Sequence, residues 1–199
     1  GHSMLISESG LARRLKFAYR HTGGYTVYND GDNMMVYTEM WLVRAQRQLF
    51  PRKALGVIVE HIGDLPDAGV AIYTAKDTPP QDVFSDVARE DAGGWMCGDR
   101  GAQVTMAPVV MQGAQVFQPR GGGECWGCPV GILEVINWGD ENMPDADVVG
   151  ADRLLWEVPG ETVVITALRK AVQATVREWE RAAWSALEGI DLHKEDGRC

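Results

Sequence analysis

The sequence predicts an α+β fold: a mostly antiparallel sheet with a long carboxy-terminal helix packed on one face and shorter helices around it. Three observations predict it. Apolar and polar residues alternate on both sides of Asp30-Gly31, as in a β-hairpin. A second pair of alternating runs flanks Gln112-Gly113. Ile165, Leu168, Val172, Val176, Trp179, Ala183 and Leu187 then recur at spacings of three and four, a helical stripe that ends at Gly189.

The elements follow in order. Residues 7–20 form a helix capped by Ser7, with Leu11, Leu15, Ala18 and Tyr19 on one side and Arg13, Arg14, Lys16 and Arg20 spread over the rest. Strands are expected at 25–29 and 34–44. Pro51 opens a second helix, striped by Leu55, Ile58, Val59 and Ile62 and closed by Gly63. A short strand over 69–75 precedes a helical segment from Pro80 to about Asp91, which Gly93-Gly94 ends. Pro108 marks the first strand of the 102–118 pair as an edge or a bulge, because proline cannot donate to a ladder. Residues 130–137 suit strand or helix, 139–152 form an acidic loop, and 153–158 a strand. The final helix would run from 165 to 187, with Ala167, Ala171, Ala174, Ala182 and Ala186 beside its main stripe.

Composition bounds the function. The chain has 199 residues, 45% apolar and 24% charged, as in soluble globular proteins. Residues 1–4 resemble a purification-tag remnant, which removes His2 as a ligand, and residues 5–199 are read as a single domain. No run approaches the ~18 apolar residues of a membrane helix, and no basic amino-terminal region feeds an apolar one, so the expected location is the cytoplasm. The net charge of -9 disfavours nucleic acid, whose phosphates an acidic body repels. A local basic face on the first helix is the exception.

The most conspicuous motif is Gly121-Gly122-Gly123-Glu124-Cys125-Trp126-Gly127-Cys128-Pro129. Two cysteines two residues apart can fill two corners of a tetrahedral zinc site where a tight turn aims both sulfurs inward. Cys97, His21, His61 and His193 are the remaining ligand types, and none forms a second pair. A redox dithiol needs a helix amino terminus behind a strand, whereas a loop precedes this pair. The plainest role is a close turn carrying two small apolar side chains. Cys199, the fourth cysteine, is a terminal thiol.

Other signatures are weak. Asp30, Asp32 and Asn33 offer oxygen ligands, but the offset to Glu39 does not close a calcium loop. No Gly-x-Ser-x-Gly elbow, His-Glu-x-x-His helix or phosphate loop occurs. Cysteine–histidine catalysis would need Cys97 or Cys125 to meet His61 or His21 in space.

Seven tryptophans stand out. Trp179 falls in the core stripe, while Trp95, Trp126 and Trp138 sit in glycine-rich segments and suit an exposed aromatic surface. Asp140, Glu141, Asp145 and Asp147 lie in a segment without Lys or Arg. Together these residues favour a non-catalytic protein that binds a macromolecule, an accessory or inhibitor factor such as mobile elements or phages encode, whose partner is a protein with a basic surface. No cofactor is implied. The alternative is a metal-binding or thiol-dependent enzyme centred on Cys125 and Cys128, with Cys97 as a third ligand and zinc as the metal.

Overall fold

The computed structural model describes residues 4–194. His2 and Cys199 therefore lie outside the described residues. The helices are α1 (Glu8–His21), α2 (Arg52–Ile62), α3 (Ser85–Met96) and α4 (Glu178–Glu188). The strands are β1 (Tyr25–Asn29), β2 (Asn33–Tyr37), β3 (Trp41–Gln46), β4 (Ala71–Ala75), β5 (Thr78–Val83), β6 (Arg100–Met111), β7 (Ala114–Gln118), β8 (Trp126–Pro129), β9 (Ala146–Val149), β10 (Arg153–Val158) and β11 (Glu161–Thr166). The hydrogen-bonded order is β5-β4-β1-β2-β3-β11-β10-β9-β6-β7-β8.

The predicted fold class needs correction. The sheet is mostly antiparallel, and larger than expected, but among the described residues no long carboxy-terminal helix packs on it. Residues 161–166 are a strand, Lys170–Val172 is one tight turn, and α4 spans 11 residues. The run Thr162-Val163-Val164-Ile165-Thr166 is β-branched throughout and buried through Ile165, so it satisfies a central strand better than a helix turn. A continuous apolar run matches a helical stripe by accident. The stripe itself comes apart: Leu168, Val172 and Trp179 are exposed, and Trp184, outside it, is fully buried.

The chain divides into two compact units. The first comprises residues 4–97, 134–144 and 156–164; the second 98–133, 145–155 and 165–194.

In the first unit Ser7 caps α1 by accepting a hydrogen bond from the Gly10 amide at 3.1 Å. Gly10 is required sterically: a Cβ there would lie 1.7 Å from the Glu134 carbonyl oxygen. α1 buries Leu11, Ala12, Leu15 and Ala18, and α2 buries Ala54, Val57 and Ile58 before its cap at Gly63. The expected strand over 34–44 is two strands, because Thr38 turns the chain by accepting the Met40 amide at 3.0 Å. The segment 4–7 is tied down too. Glu161 of β11 accepts the amides of Met4, Leu5 and Ile6 at 2.9–3.3 Å. Met4 thus belongs to the fold. α3 does not stop at Gly93-Gly94 but continues to Met96, and β5 takes residues 80–83, where the helical segment was expected to begin.

In the second unit β6 and β7 meet at Gln112-Gly113, both with positive φ (55° and 77°), the backbone of a two-residue hairpin turn. The register slips between Met106 and Val110, around Pro108. There the Gln115 side-chain amide donates to the carbonyls of Ala107 (2.7 Å) and Val109 (3.0 Å), replacing lost ladder bonds. Ala146–Val149, expected as loop, is strand β9, paired with both β10 and β6. Trp184 of α4 packs with Val116, Ala114, Ala107 and Cys125, and its indole N–H donates to Gln112 Oε1 at 3.2 Å.

Candidate recognition surface

The CWGC segment is extended backbone, not a turn. Trp126–Pro129 is strand β8, with Val116 opposite Gly127, Gln115 opposite Cys128 and Phe117 opposite Trp126. Side chains alternate along extended backbone, and cross-strand partners share a face. Cys125 accordingly sits with Val116, Ala114 and Trp184, while Cys128 takes the opposite face with Trp126 and Phe117. An offset of three in a strand separates what a turn would have converged. Both thiols are fully buried. Burial, reinforced by the charge of Glu188, pushes the Cys125 thiol up to about 11, and burial raises Cys128 as well. Neither is an activated thiolate.

The surroundings of Cys125 are closed by polar bonds. Glu188 of α4 accepts the Cys125 amide at 2.8 Å and receives a bidentate grip from Arg169 at 2.8 and 2.9 Å. Arg169 also lies 3.5 Å from Glu124. The buried amide of Gln118 bonds the Gly123 and Ile190 carbonyls and the Leu192 amide. Cys97, by contrast, is exposed at the end of α3 in the first unit. Among the described residues no group of three or more His, Cys, Asp or Glu is placed to hold a metal ion.

The predicted aromatic and acidic residues separate. Trp126 is 4% exposed, its indole N–H buried without a hydrogen-bond partner among the described residues. Trp95 is half-buried on α3. Trp138 is exposed and meets Trp156 edge-on at 5.9 Å. Asp140 folds its carboxylate back to the Asn142 amide at 2.8 Å, and Glu141 is exposed. Asp145 is held by Arg120 through two bonds of 3.0 and 3.1 Å, and Asp147, on β9, by Arg100 at 3.1 Å. Those two carboxylates are answered within their own unit. Asp30 is likewise occupied, accepting the amides of Asp32 and Asn33 at 3.0 and 2.7 Å, which accounts for that oxygen cluster as a turn.

His61 is committed as well. Its ring stacks on Tyr19 at 3.8 Å, and Nδ1 shares a 2.7 Å hydrogen bond with the Tyr25 hydroxyl. Burial lowers its pKa.

The surface that remains open lies on β5 and α3, where sequence reasoning placed no binding residue except Trp95. β5 is an outer strand with residues 79–82 exposed. Phe84, between β5 and α3, is 84% exposed, and Val87 follows at 45%. Around them Asp77, Asp82, Asp86, Glu90 and Asp91 are exposed, against Lys76 and Arg89. Arg89 pairs with Asp86 at 3.2 Å, both side chains in water, so the pair neutralises little. Asp91 accepts a 3.2 Å bond from the Tyr37 hydroxyl. The sequence signal was present in Asp82-Val83-Phe84-Ser85-Asp86-Val87, an aromatic bracketed by acids after two prolines. Its exposure was not.

No family model matches the chain, and no curated protein matches it. Among solved structures it is similar to the crystal structure of DNA polymerase III, beta subunit, from Thermotoga maritima, at 9% identity and a TM-score of 0.30. The alignment covers 89% of this chain and 66% of that one, so the chain spans just under two thirds of that protein's length. A likeness of this size transfers neither fold nor function. No helix of the described residues is long and apolar enough to cross a membrane.

Proposed function

We propose that this protein is a non-catalytic recognition protein that docks a basic, apolar segment of another protein on the β5–α3 surface. The exposure of Phe84 carries the reading. Covering a phenylalanine side chain returns about 1.5–3 kcal/mol, so leaving one in water is costly unless a partner covers it. Aromatic anchors of this kind dominate interface energies, and Val87 widens the apolar centre.

Charge supplies the selectivity. The acids around Phe84 attract lysine and arginine and repel phosphate backbones, which favours a protein over a nucleic acid. Pro79 and Pro80 withhold two backbone donors from the outer strand, a device that discourages indiscriminate edge pairing.

The test uses three sets of synthetic peptides: Lys/Arg interspersed with Leu, Glu interspersed with Leu, and Lys/Arg interspersed with Ser. The native protein should retain the first set best, with affinity falling as salt rises. Phe84→Ser should lose the preference for Leu over Ser, and Asp82→Lys with Asp86→Lys the preference for basic over acidic. Equal retention of all three sets, or unchanged retention by Phe84→Ser, refutes the reading.

A further inference from the structure

A second feature of the first unit is independent of that surface. An open cleft of about 540 Å³ is lined by Asn33 of β2, Arg44 and Gln46 of β3, and the β10–β11 turn from Glu157 to Thr162. The register explains the grouping. Asn33 faces Gln46, and Met35 faces Arg44, across an antiparallel pair, so Asn33, Arg44 and Gln46 share one side of the sheet.

Arg44 is chemically incomplete. A guanidinium has five N–H donors, and among the described residues Arg44 uses one, from Nη2 to Thr162 Oγ1 at 3.2 Å. It makes no ion pair there, although it is only partly exposed. The arginines Arg20, Arg47, Arg52 and Arg177 are exposed, where water satisfies them; Arg44 is withdrawn into a cleft, where water does so less well. The neighbouring carboxylate of Glu161 does not help, being spent on the amides of Met4, Leu5 and Ile6. Glu157, exposed on the same cleft, closes on no cation among the described residues. One cleft therefore holds a cation and an anion that do not neutralise each other, with two side-chain amides between strands.

We infer that this cleft binds a small zwitterion, a free α-amino acid. Its carboxylate meets the planar fork of Arg44, a geometry that favours two parallel N–H···O bonds. Its ammonium is attracted by Glu157, which also disfavours phosphate and other multiply charged anions. The Asn33 amide and the Gln46 Nε2, whose neighbouring Oε1 already accepts from Gln48 Nε2 at 3.0 Å, face whatever polar group the ligand carries, and the volume falls within the ~300–1,000 Å³ of small-molecule sites.

The experiment is an NMR titration of the full chain with a panel of free L-amino acids, their carboxamides, their N-acetyl derivatives and inorganic phosphate. At least one free amino acid should give saturable shifts at Asn33, Gln46, Gly160 and Thr162. Loss of the charged hydrogen bonds, by carboxamide ligands or by Arg44→Gln, should weaken binding about tenfold or more. N-acetylation and Glu157→Gln should weaken it by a smaller factor, and by the same factor as each other. Arg44→Lys keeps the charge without the fork and should fall between native and Arg44→Gln; if Arg44→Gln loses its dispersed spectrum, this variant and the ligand series decide. The inference is overturned if no amino acid shifts these resonances, if carboxamides bind as well as acids, or if phosphate outcompetes every zwitterion and gains from Glu157→Gln.

Discussion

Residues 121–131 and residues 78–91 share a vocabulary, each setting glycine or proline beside an aromatic and acidic side chains. Their fates differ. In the first stretch Trp126, Cys125 and Cys128 are buried, and Glu124 faces an arginine that also grips Glu188. In the second, Phe84 stands in water with acids around it, and the one ion pair there is exposed on both sides. The chemically suggestive motif is buried, and the plainer stretch is exposed. What separates them is whether neighbouring elements supply partners. α4 and β7 close over the CWGC strand, whereas β5 ends its sheet.

The largest effect is expected at Trp184. Trp184→Ala should cost about 3–5 kcal/mol in chemical denaturation, the expected loss for a large buried aromatic, while Trp179→Ala should change stability by about 0.5 kcal/mol or less. If Trp179 proves the costly one, α4 packs by the sequence stripe and Trp179, not Trp184, fills the core of the second unit. Next comes Glu188→Gln, which weakens the Arg169 grip and the Cys125 amide bond together. A loss of about 1–3 kcal/mol is expected by the same measurement, largely suppressed when Arg169 is replaced as well.

A smaller effect is carried by pH. The Cys125 thiol, ordinarily at 9.0, rises to about 11 in the fold. The unfolded chain therefore ionises first as pH climbs. The stabilisation tied to the protonated thiol is complete below pH 9.0 and is lost between there and about pH 11. Comparing unfolding free energies of native protein and Cys125→Ala across that window isolates it: the native protein should lose stability more steeply. The same thiols should resist alkylation until the protein unfolds, while Cys97 reacts in the folded state. Smallest of all is Phe84→Ser, which should leave stability within about 0.5 kcal/mol because the ring touches little of its own chain. A large drop in melting temperature would show that Phe84 is structural and would sharpen the contrast in the opposite direction.

Features with a local cause were legible. The Ser7 cap, the stop at Gly63, the Asp30 turn, the Gln112-Gly113 hairpin and the irregularity at Pro108 each depend on a few adjacent residues. Non-local features were not. Ala146–Val149 becomes a strand because β10 and β6 flank it, not because its four residues, one of them Asp147, announce one. α3 runs through Gly93-Gly94, where local preference ends a helix.

The candidate sites divide the same way. The acids and aromatics were visible as residue types, but Asp145 and Asp147 are neutralised by Arg120 and Arg100, which are 25 and 47 positions away. Arg44 gave no signal at all, since its meaning lies in the donors that, among the described residues, find no partner beyond Thr162.

Where the chain turns, caps and alternates follows from adjacent residues, because φ preferences, side-chain capping bonds and period-two burial act over a handful of positions. Which tryptophan is core, which face each cysteine takes and which charges meet a partner follow from packing between distant segments. Burial and ion pairing depend on distances between residues far apart in sequence, and a linear pattern contains no such distances until strands acquire neighbours and register.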